Sequence, residues 1–343
     1  MLGFDQIKDQ QRPVRLLTAF IRKDRIPHAL IFTGIDGVGK KAAALAFALV
    51  CNCERLQAQG VRPGRGGEAR RNDPSPLTPC RDCRTCRRIL SGNHPDVIRI
   101  NPIGPLIRID QIRNLIDTLS KKPYGRGRRM VLIANAHTMN PGAGNALLKV
   151  LEEPPPNTIL ILTAAQTSDL LPTIVSRCQH IRFRPLTVDT LTSLLMEQEG
   201  LDRKAANILS SIAGGSYTRA VTMYQDGWIA RRNWIIHEIS TLKHQTAVRR
   251  LALAEQLAAF KKHLPDALEC MMTYYRDLLV WRYHPGQILN RDLHPEIEQT
   301  AAGENLGELI DRIRATQNAQ RHLKANANPR LTIETLLLQL EAA

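Results

Sequence analysis

Residues 29–40, Ala-Leu-Ile-Phe-Thr-Gly-Ile-Asp-Gly-Val-Gly-Lys, constrain the fold of this chain more than any other stretch. The first five read as a short buried strand. Gly34, four intervening residues, Gly39 and Lys40 then reproduce the spacing of a phosphate-binding loop. Lys40 to Val50, rich in Ala and Leu, reads as a helix. Such a loop works because a glycine-rich turn lets backbone N–H groups surround phosphate at a helix N-terminus. A strand feeding a helix in this way commits the chain to crossover connections, and so to a parallel sheet covered on both faces. Further apolar runs at Val97–Ile100, Met130–Ala134, Ile159–Thr163 and Ile181–Phe183 supply the other strands, with helical patterns such as "IDQIRNLIDTLSKK" and "GNALLKVLEE" between them. The expected fold class is therefore α/β over residues 1–185. No strand is expected after Pro185: residues 186–225 read as a small helical domain and 226–343 as an all-α domain of longer helices.

The loop departs from its pattern at the next position. A hydroxyl there holds magnesium, and this chain has Lys41. An ammonium ~4 Å from a unit charge of like sign costs about 4 kcal/mol at an effective dielectric of 20, and a divalent ion would feel more. A working site also needs carboxylates at the end of a second strand, to hold the metal and polarise the attacking water. After "RRMVLI" and Ala134, those positions carry Asn135 and Ala136. Both defects remove the same chemistry. Gly34, Gly39 and Lys40 are expected to persist as a degenerate phosphate loop, with ATP binding weak or absent and hydrolysis disabled.

The second constellation is cysteine. Cys80, Cys83 and Cys86 stand at Cys-x2-Cys-x2-Cys spacing, and Cys53 offers a fourth thiolate across an insertion, with Cys51 as its alternative. Four thiolates in a closed tetrahedron make a structural zinc site, so Zn2+ is the expected cofactor of a module at about residues 51–90. Binding of this kind can supply ~10–16 kcal/mol of local folding energy. Residues 54–79 contain four Gly, four Pro and five Arg with no apolar period, a flexible insertion by composition. Cys178 and Cys270 stand alone and read as core thiols. Lys121, Lys122, Arg126, Arg128 and Arg129 form a basic run that reads as a solvated face, and His28 and His94 as turn or packing residues. The formal net charge of +15 favours a polyanionic partner, nucleic acid above all. The longest apolar run, Ala42 to Cys51, is about half the ~20 residues a membrane helix needs, so no membrane association and a cytoplasmic location are expected.

In order along the chain, "IPHALIFTG" with its loop, the cysteine cluster, "GNHPD", "IRIDQIR", "NALLKVLEEPP" and "SRC" together resemble the AAA+ proteins of the bacterial clamp loader. The resemblance covers about residues 4–185, and beyond it chiefly "ANANPRLTIETLLLQL". It implies a P-loop domain with an inserted zinc module, a helical lid and a helical collar. ATPase members of the family carry Thr after the loop lysine and an Asp-Glu pair after the second strand, where this chain has Lys41, Asn135 and Ala136. Their second sensor arginine falls on Thr218, with Arg219 adjacent. The pattern fits stator-like subunits that have lost hydrolysis. In the family the Arg of "SRC" reaches into a neighbour's ATP site, so the resemblance makes Arg177 an arginine finger acting in trans.

The implied function is a non-hydrolysing subunit of the replicative clamp loader. Its implied partners are gamma/tau-type and delta-type loader subunits, the sliding clamp and primed DNA. Two alternatives stand beside it: an active clamp-loader ATPase, or a stand-alone zinc-dependent nucleic-acid-binding protein.

Overall fold

The structure, a computed structural model, describes residues 3–59, 77–125, 127–242, 245–260 and 263–342. Most of the Gly/Pro-rich insertion, and Arg126 of the basic run, lie outside the described residues. The chain divides into two compact units, Met1–Thr190 with Gly215–Thr218, and Leu191–Gly214 with Arg219–Ala343.

The first unit runs α1 (Gln11–Arg22), β1 (Ala29–Thr33), α2 (Lys40–Asn52), α3 (Glu54–Ala58), α4 (Arg84–Leu90), β2 (Val97–Ile100), α5 (Ile109–Ser120), β3 (Arg129–Ile133), α6 (Pro141–Glu152), β4 (Thr158–Ala164), α7 (Pro172–Val175) and β5 (Gln179–Arg182). Its five strands are all parallel, in the order β2-β3-β4-β1-β5. Central position explains sequence: every residue of β1 and β4 is buried, whereas edge strand β5 buries only Ile181. Side chains alternate between two cores. Leu30, Phe32, Ile159 and Ile161 face α1 and α2, and Ala29, Ile31, Leu160 and Leu162 face α5 and α6. Phe32 is fully buried, its ring 5.2 Å from that of Phe183, and its truncation to Ala would cost about 3–5 kcal/mol. The parallel register places the ends of β1, β3 and β4 side by side, and the loops that follow them carry the site.

In the second unit every regular element among the described residues is helical. Its main members are α9 (Arg203–Ile212), α11 (Trp228–Ser240), α12 (Ala247–Ala259), α13 (Leu264–Trp281), α14 (His294–Gly303), α15 (Leu306–Lys324) and α16 (Pro329–Ala342). Two more, α8 (Val188–Glu199) and α10 (Tyr217–Gln225), cross from one unit into the other. Helix α13 packs against α11, α14 and α15, and α12 against α16. Leu264, Ala267, Leu268, Met271, Tyr274, Tyr275 and Leu278 give α13 its buried stripe. One feature here has no apolar signature. Arg232, with no exposed surface, donates to both oxygens of Asp292 at 2.8 Å and to Asn290 Oδ1 at 2.9 Å. Asp277, equally buried, accepts the N–H groups of Leu289 and Asn290. Paired in this way, the charges pin the connection between α13 and α14.

Candidate functional site

The phosphate loop is built as its spacing requires. Gly34, Gly37 and Gly39 have φ of 141°, 81° and 95°, values that side chains disfavour, and Gly39 caps α2. What fills the loop is the chain itself. Lys40 is 5% exposed, and its Nζ donates to the carbonyls of Gly34 and Ile35 and lies 3.3 Å from Asp36 Oδ1. Burial, partly offset by Asp36, lowers its pKa from the usual lysine value. Residues 216–218 lie directly against the loop: Tyr217 N–H donates to Gly37 O at 3.3 Å, and a Cβ on Gly37 would come within 2.5 Å of Thr218 N. A phosphate chain would have to displace Lys40 from its carbonyls to engage it. Thr218 therefore sits over the loop with no guanidinium to offer, while the adjacent Arg219 pairs with Glu269 in the second unit.

Lys41 is exposed at the head of α2 and lines a cavity of about 190 Å³ with Arg99, Asn101 and Thr163. The corner next to the loop thus holds two cations and no carboxylate among its lining residues. Asn135 adopts the left-handed conformation (φ 51°, ψ 52°), which Asn tolerates better than most residues, and its N–H donates to Thr163 Oγ1 at 3.0 Å. Ala136, 2% exposed, opens a short 3-10 turn and contributes to the core. Thr163, at the end of β4, is a site residue that sequence reasoning missed; an ordinary strand threonine carries no motif.

Arg177 lies in the turn between α7 and β5. Its Nη2 is 2.8 Å from Glu152 Oε1, and its Nη1 donates to Thr173 O at 3.0 Å. The "LEEPP" and "SRC" segments, 25 residues apart in number, meet through this pair. The guanidinium is 37% exposed, so it remains accessible from solvent.

The cysteines converge as a group. Sγ atoms of Cys53, Cys80, Cys83 and Cys86 all lie within 4.8 Å of one another. A tetrahedron with ~2.3 Å zinc–sulfur bonds has sulfurs ~3.8 Å apart, so the group needs only a modest contraction. The backbone prepares the thiolates: Cys80 N–H donates to Cys53 Sγ, Cys83 N–H to Cys80 Sγ and Cys86 N–H to Cys83 Sγ, at 3.3–3.4 Å. At Cys80 burial opposes ionisation, but the N–H groups of Cys83 and Asp82 outweigh it and bring the thiol to about 6. Burial holds Cys53 and Cys86 up, so four thiolates together call for a cation. This donor set could hold a metal ion. Cys51 is not in the group; it is buried in α2, its thiol pushed up to about 12 by burial. Cys178 and Cys270 also stand apart, and burial pushes both thiols up to about 12.

The basic run is a solvated face at Lys121 and Lys122 but not at Arg128 and Arg129, which corrects that expectation for the two arginines. Arg129, 4% exposed, caps α5 by donating to the carbonyls of Leu119 and Lys121 at 3.0 Å, and its Nε lies 3.6 Å from Asp96. Arg128 pairs with Asp24 at 2.7 Å. Only Lys121 and Lys122 are freely exposed among the described members of the run. Asp96 of "GNHPD" is the anchor, accepting the N–H groups of Tyr124 and Gly125 at 3.0 and 2.8 Å. His94 Nδ1 accepts the N–H of Asp96, a turn role, and burial lowers its pKa. His28 is exposed at the entry to β1, where its carbonyl accepts from Leu160.

Comparison with known proteins adds independent findings. The family profile described as "DNA polymerase III, delta subunit" matches residues 9–187, and a second profile, for the C-terminal part of the same delta subunit, matches residues 225–342. DNA polymerase III subunit delta' of Bacillus subtilis (strain 168) is 30% identical over 336 residues, 97% of this chain and 96% of that protein. The Pseudomonas aeruginosa subunit delta' is 33% identical over 66% of this chain and 64% of its own length. Subunit tau of Bacillus subtilis is 25% identical, and the match takes in 98% of this chain but 61% of tau. A solved gamma subunit-related protein of Thermotoga maritima matches 95% of this chain and 98% of its own at 18% identity and a TM-score of 0.42, too low to carry an argument. With one profile spanning more than half of its length and a delta' relative matched nearly end to end, this chain belongs to the DNA polymerase III delta' family.

Proposed function

We propose that the chain is a stator-like subunit of the DNA polymerase III clamp loader, helping to place the sliding clamp on primed DNA without hydrolysing ATP itself. The observation that carries this reading is the combination at the loop: Lys41, Asn135 and Ala136 stand where a hydroxyl and two carboxylates are needed, and Lys40 is turned onto its own loop carbonyls. A loop in that state serves as architecture. Its neighbours in the assembly are ATPase subunits of the gamma/tau type and a delta-type subunit. Arg177 acts in trans, presenting its guanidinium to the γ-phosphate in a neighbouring subunit, a contribution worth roughly 10³–10⁵ in rate at that site.

The metal held by Cys53, Cys80, Cys83 and Cys86 is zinc, which suits an all-thiolate tetrahedral set without redox chemistry. Its task is to fold the module around α3 and α4. Residues 1–185 form the AAA+ domain, 186–225 the lid and 226–343 the collar that joins the subunits. No helix among the described residues is long and apolar enough to cross a membrane; a replication factor of this kind works in the cytoplasm. The test is ATP turnover by the purified chain with and without primed DNA. No hydrolysis above background is expected, and steady turnover at ~1 s⁻¹, an ordinary enzyme rate, would refute the stator reading.

A further inference from the structure

The contact between Arg177 and Glu152 is not accounted for by the fold. Glu152 is the last residue of α6, where the helix dipole disfavours a carboxylate. It is half-exposed, and the pair it forms with Arg177 is of the solvent-screened kind that contributes little to stability. A residue that breaks a local preference without stabilising the fold is best explained by what it does to its partner. Glu152 holds one end of the guanidinium at 2.8 Å and the Thr173 carbonyl holds the other at 3.0 Å. These holds come from two separate elements, the end of α6 and α7. The first is stiffened by Pro154, Pro155 and Pro156, which follow it after the single residue Glu153. An arginine side chain that would otherwise sample many rotamers is thereby confined on an exposed turn.

We infer that Glu152 is a positioning residue for Arg177: it pre-orders the guanidinium so that little side-chain freedom is left to lose when the finger meets a neighbour's phosphate. This rests on the trans role of Arg177 proposed above. Loss of much of the rotamer freedom of an arginine beforehand is equivalent to between roughly fivefold and thirtyfold in rate.

The test uses the reconstituted loader with clamp and primed DNA, carrying Glu152→Ala, Glu152→Gln, Arg177→Ala or the Glu152→Ala/Arg177→Ala pair. Clamp-loading rate, the KM for ATP, assembly and melting temperature are measured for each. Glu152→Ala should slow loading roughly tenfold with KM and melting temperature unchanged. Glu152→Gln, whose amide oxygen still accepts a hydrogen bond, should recover most of the rate. The double variant should be no slower than Arg177→Ala alone, since Glu152 acts only through the arginine. If Arg177→Ala slows loading while Glu152→Ala leaves it at the wild-type rate, Glu152 does not position the finger, though the finger itself stands. A double variant clearly slower than Arg177→Ala, or a Glu152→Ala effect that tracks a fall in melting temperature, also overturns the inference. If Arg177→Ala has no effect, the trans role fails first and takes this inference with it. Should Glu152→Ala fail to assemble, Glu152→Gln compared with Glu152→Asp decides on the same criteria.

Discussion

Asp96→Ala should be among the more damaging single substitutions in the first unit. The carboxylate is 4% exposed, accepts the N–H groups of Tyr124 and Gly125, and lies 3.6 Å from Arg129 Nε. Its removal leaves a guanidinium that is itself 4% exposed without its counter-charge, and two N–H groups without their acceptor. Breaking a buried pair by removing one partner costs ~3–5 kcal/mol, and each orphaned donor ~1–3 kcal/mol if water cannot reach it. Water can reach the loop at Tyr124, which is 87% exposed, and Arg129 keeps the carbonyls of Leu119 and Lys121. The lower end is therefore expected, about 3 kcal/mol. For a unit of this size that corresponds to a fall of roughly 6–12 °C in its thermal transition. Differential scanning calorimetry measures the shift, and hydrogen exchange at Tyr124 and Gly125 should show protection lost. A shift below ~2 °C with exchange unchanged would refute the view that this carboxylate fastens the loop.

Metal analysis of the freshly purified chain should find one zinc, which Cys83→Ser or Cys53→Ser should abolish while loosening residues around α3 and α4, and which Cys51→Ser should leave in place. Asp9 accepts from Thr187 N–H and from the Thr187 and Thr190 hydroxyls at 2.7–3.0 Å, and although burial raises its pKa these bonds win and lower it. A lowered folded value means stability present above the unfolded pKa and lost as pH falls through the folded one, so the melting difference between wild type and Asp9→Asn should be full at pH 7 and shrink as the pH is taken below the ordinary aspartate range. Arg232→Ala should lower the second unit's transition by about 3–5 kcal/mol and leave that of the first in place, as read by calorimetry.

Sequence and structure agree best where period and spacing act locally. The strands at Ala29–Thr33 and Thr158–Ala164 are legible because central parallel strands, buried on both faces, must be largely apolar along their whole length. The edge strand is displaced from the expected Ile181–Phe183 to Gln179–Arg182, since an edge leaves Gln179, His180 and Arg182 in solvent. Loop and cysteine spacing are equally local, and Lys40, Lys41, Cys80, Cys83 and Cys86 are found from the chain alone. Partners far apart in sequence are not. Nothing in "GNHPD" says that Asp96 holds Tyr124, nor does "LEEPP" announce Arg177, because each pairing exists only once the sheet has set the loops beside one another. Arg232 was illegible for a related reason: a charged residue on an amphipathic helix reads as solvent-facing until the loop carrying Asn290 and Asp292 closes over it. Arg128 and Arg129 misled in the same way.

Clamp loading by a reconstituted loader carrying Arg177→Ala tests the central claim most directly, since a subunit in the stator-like role proposed here must act on a neighbour's reaction. The variant complex should assemble and the isolated chain should melt within about 4 °C of wild type, because an exposed pair contributes ~0–1 kcal/mol. Loading should fall by at least tenfold, with total ATP turnover reduced less because only one of several sites loses its finger. Arg177→Lys should fare no better, for an ammonium lacks the planar fork. An intact complex that loads clamps at the wild-type rate without Arg177 would contradict the account.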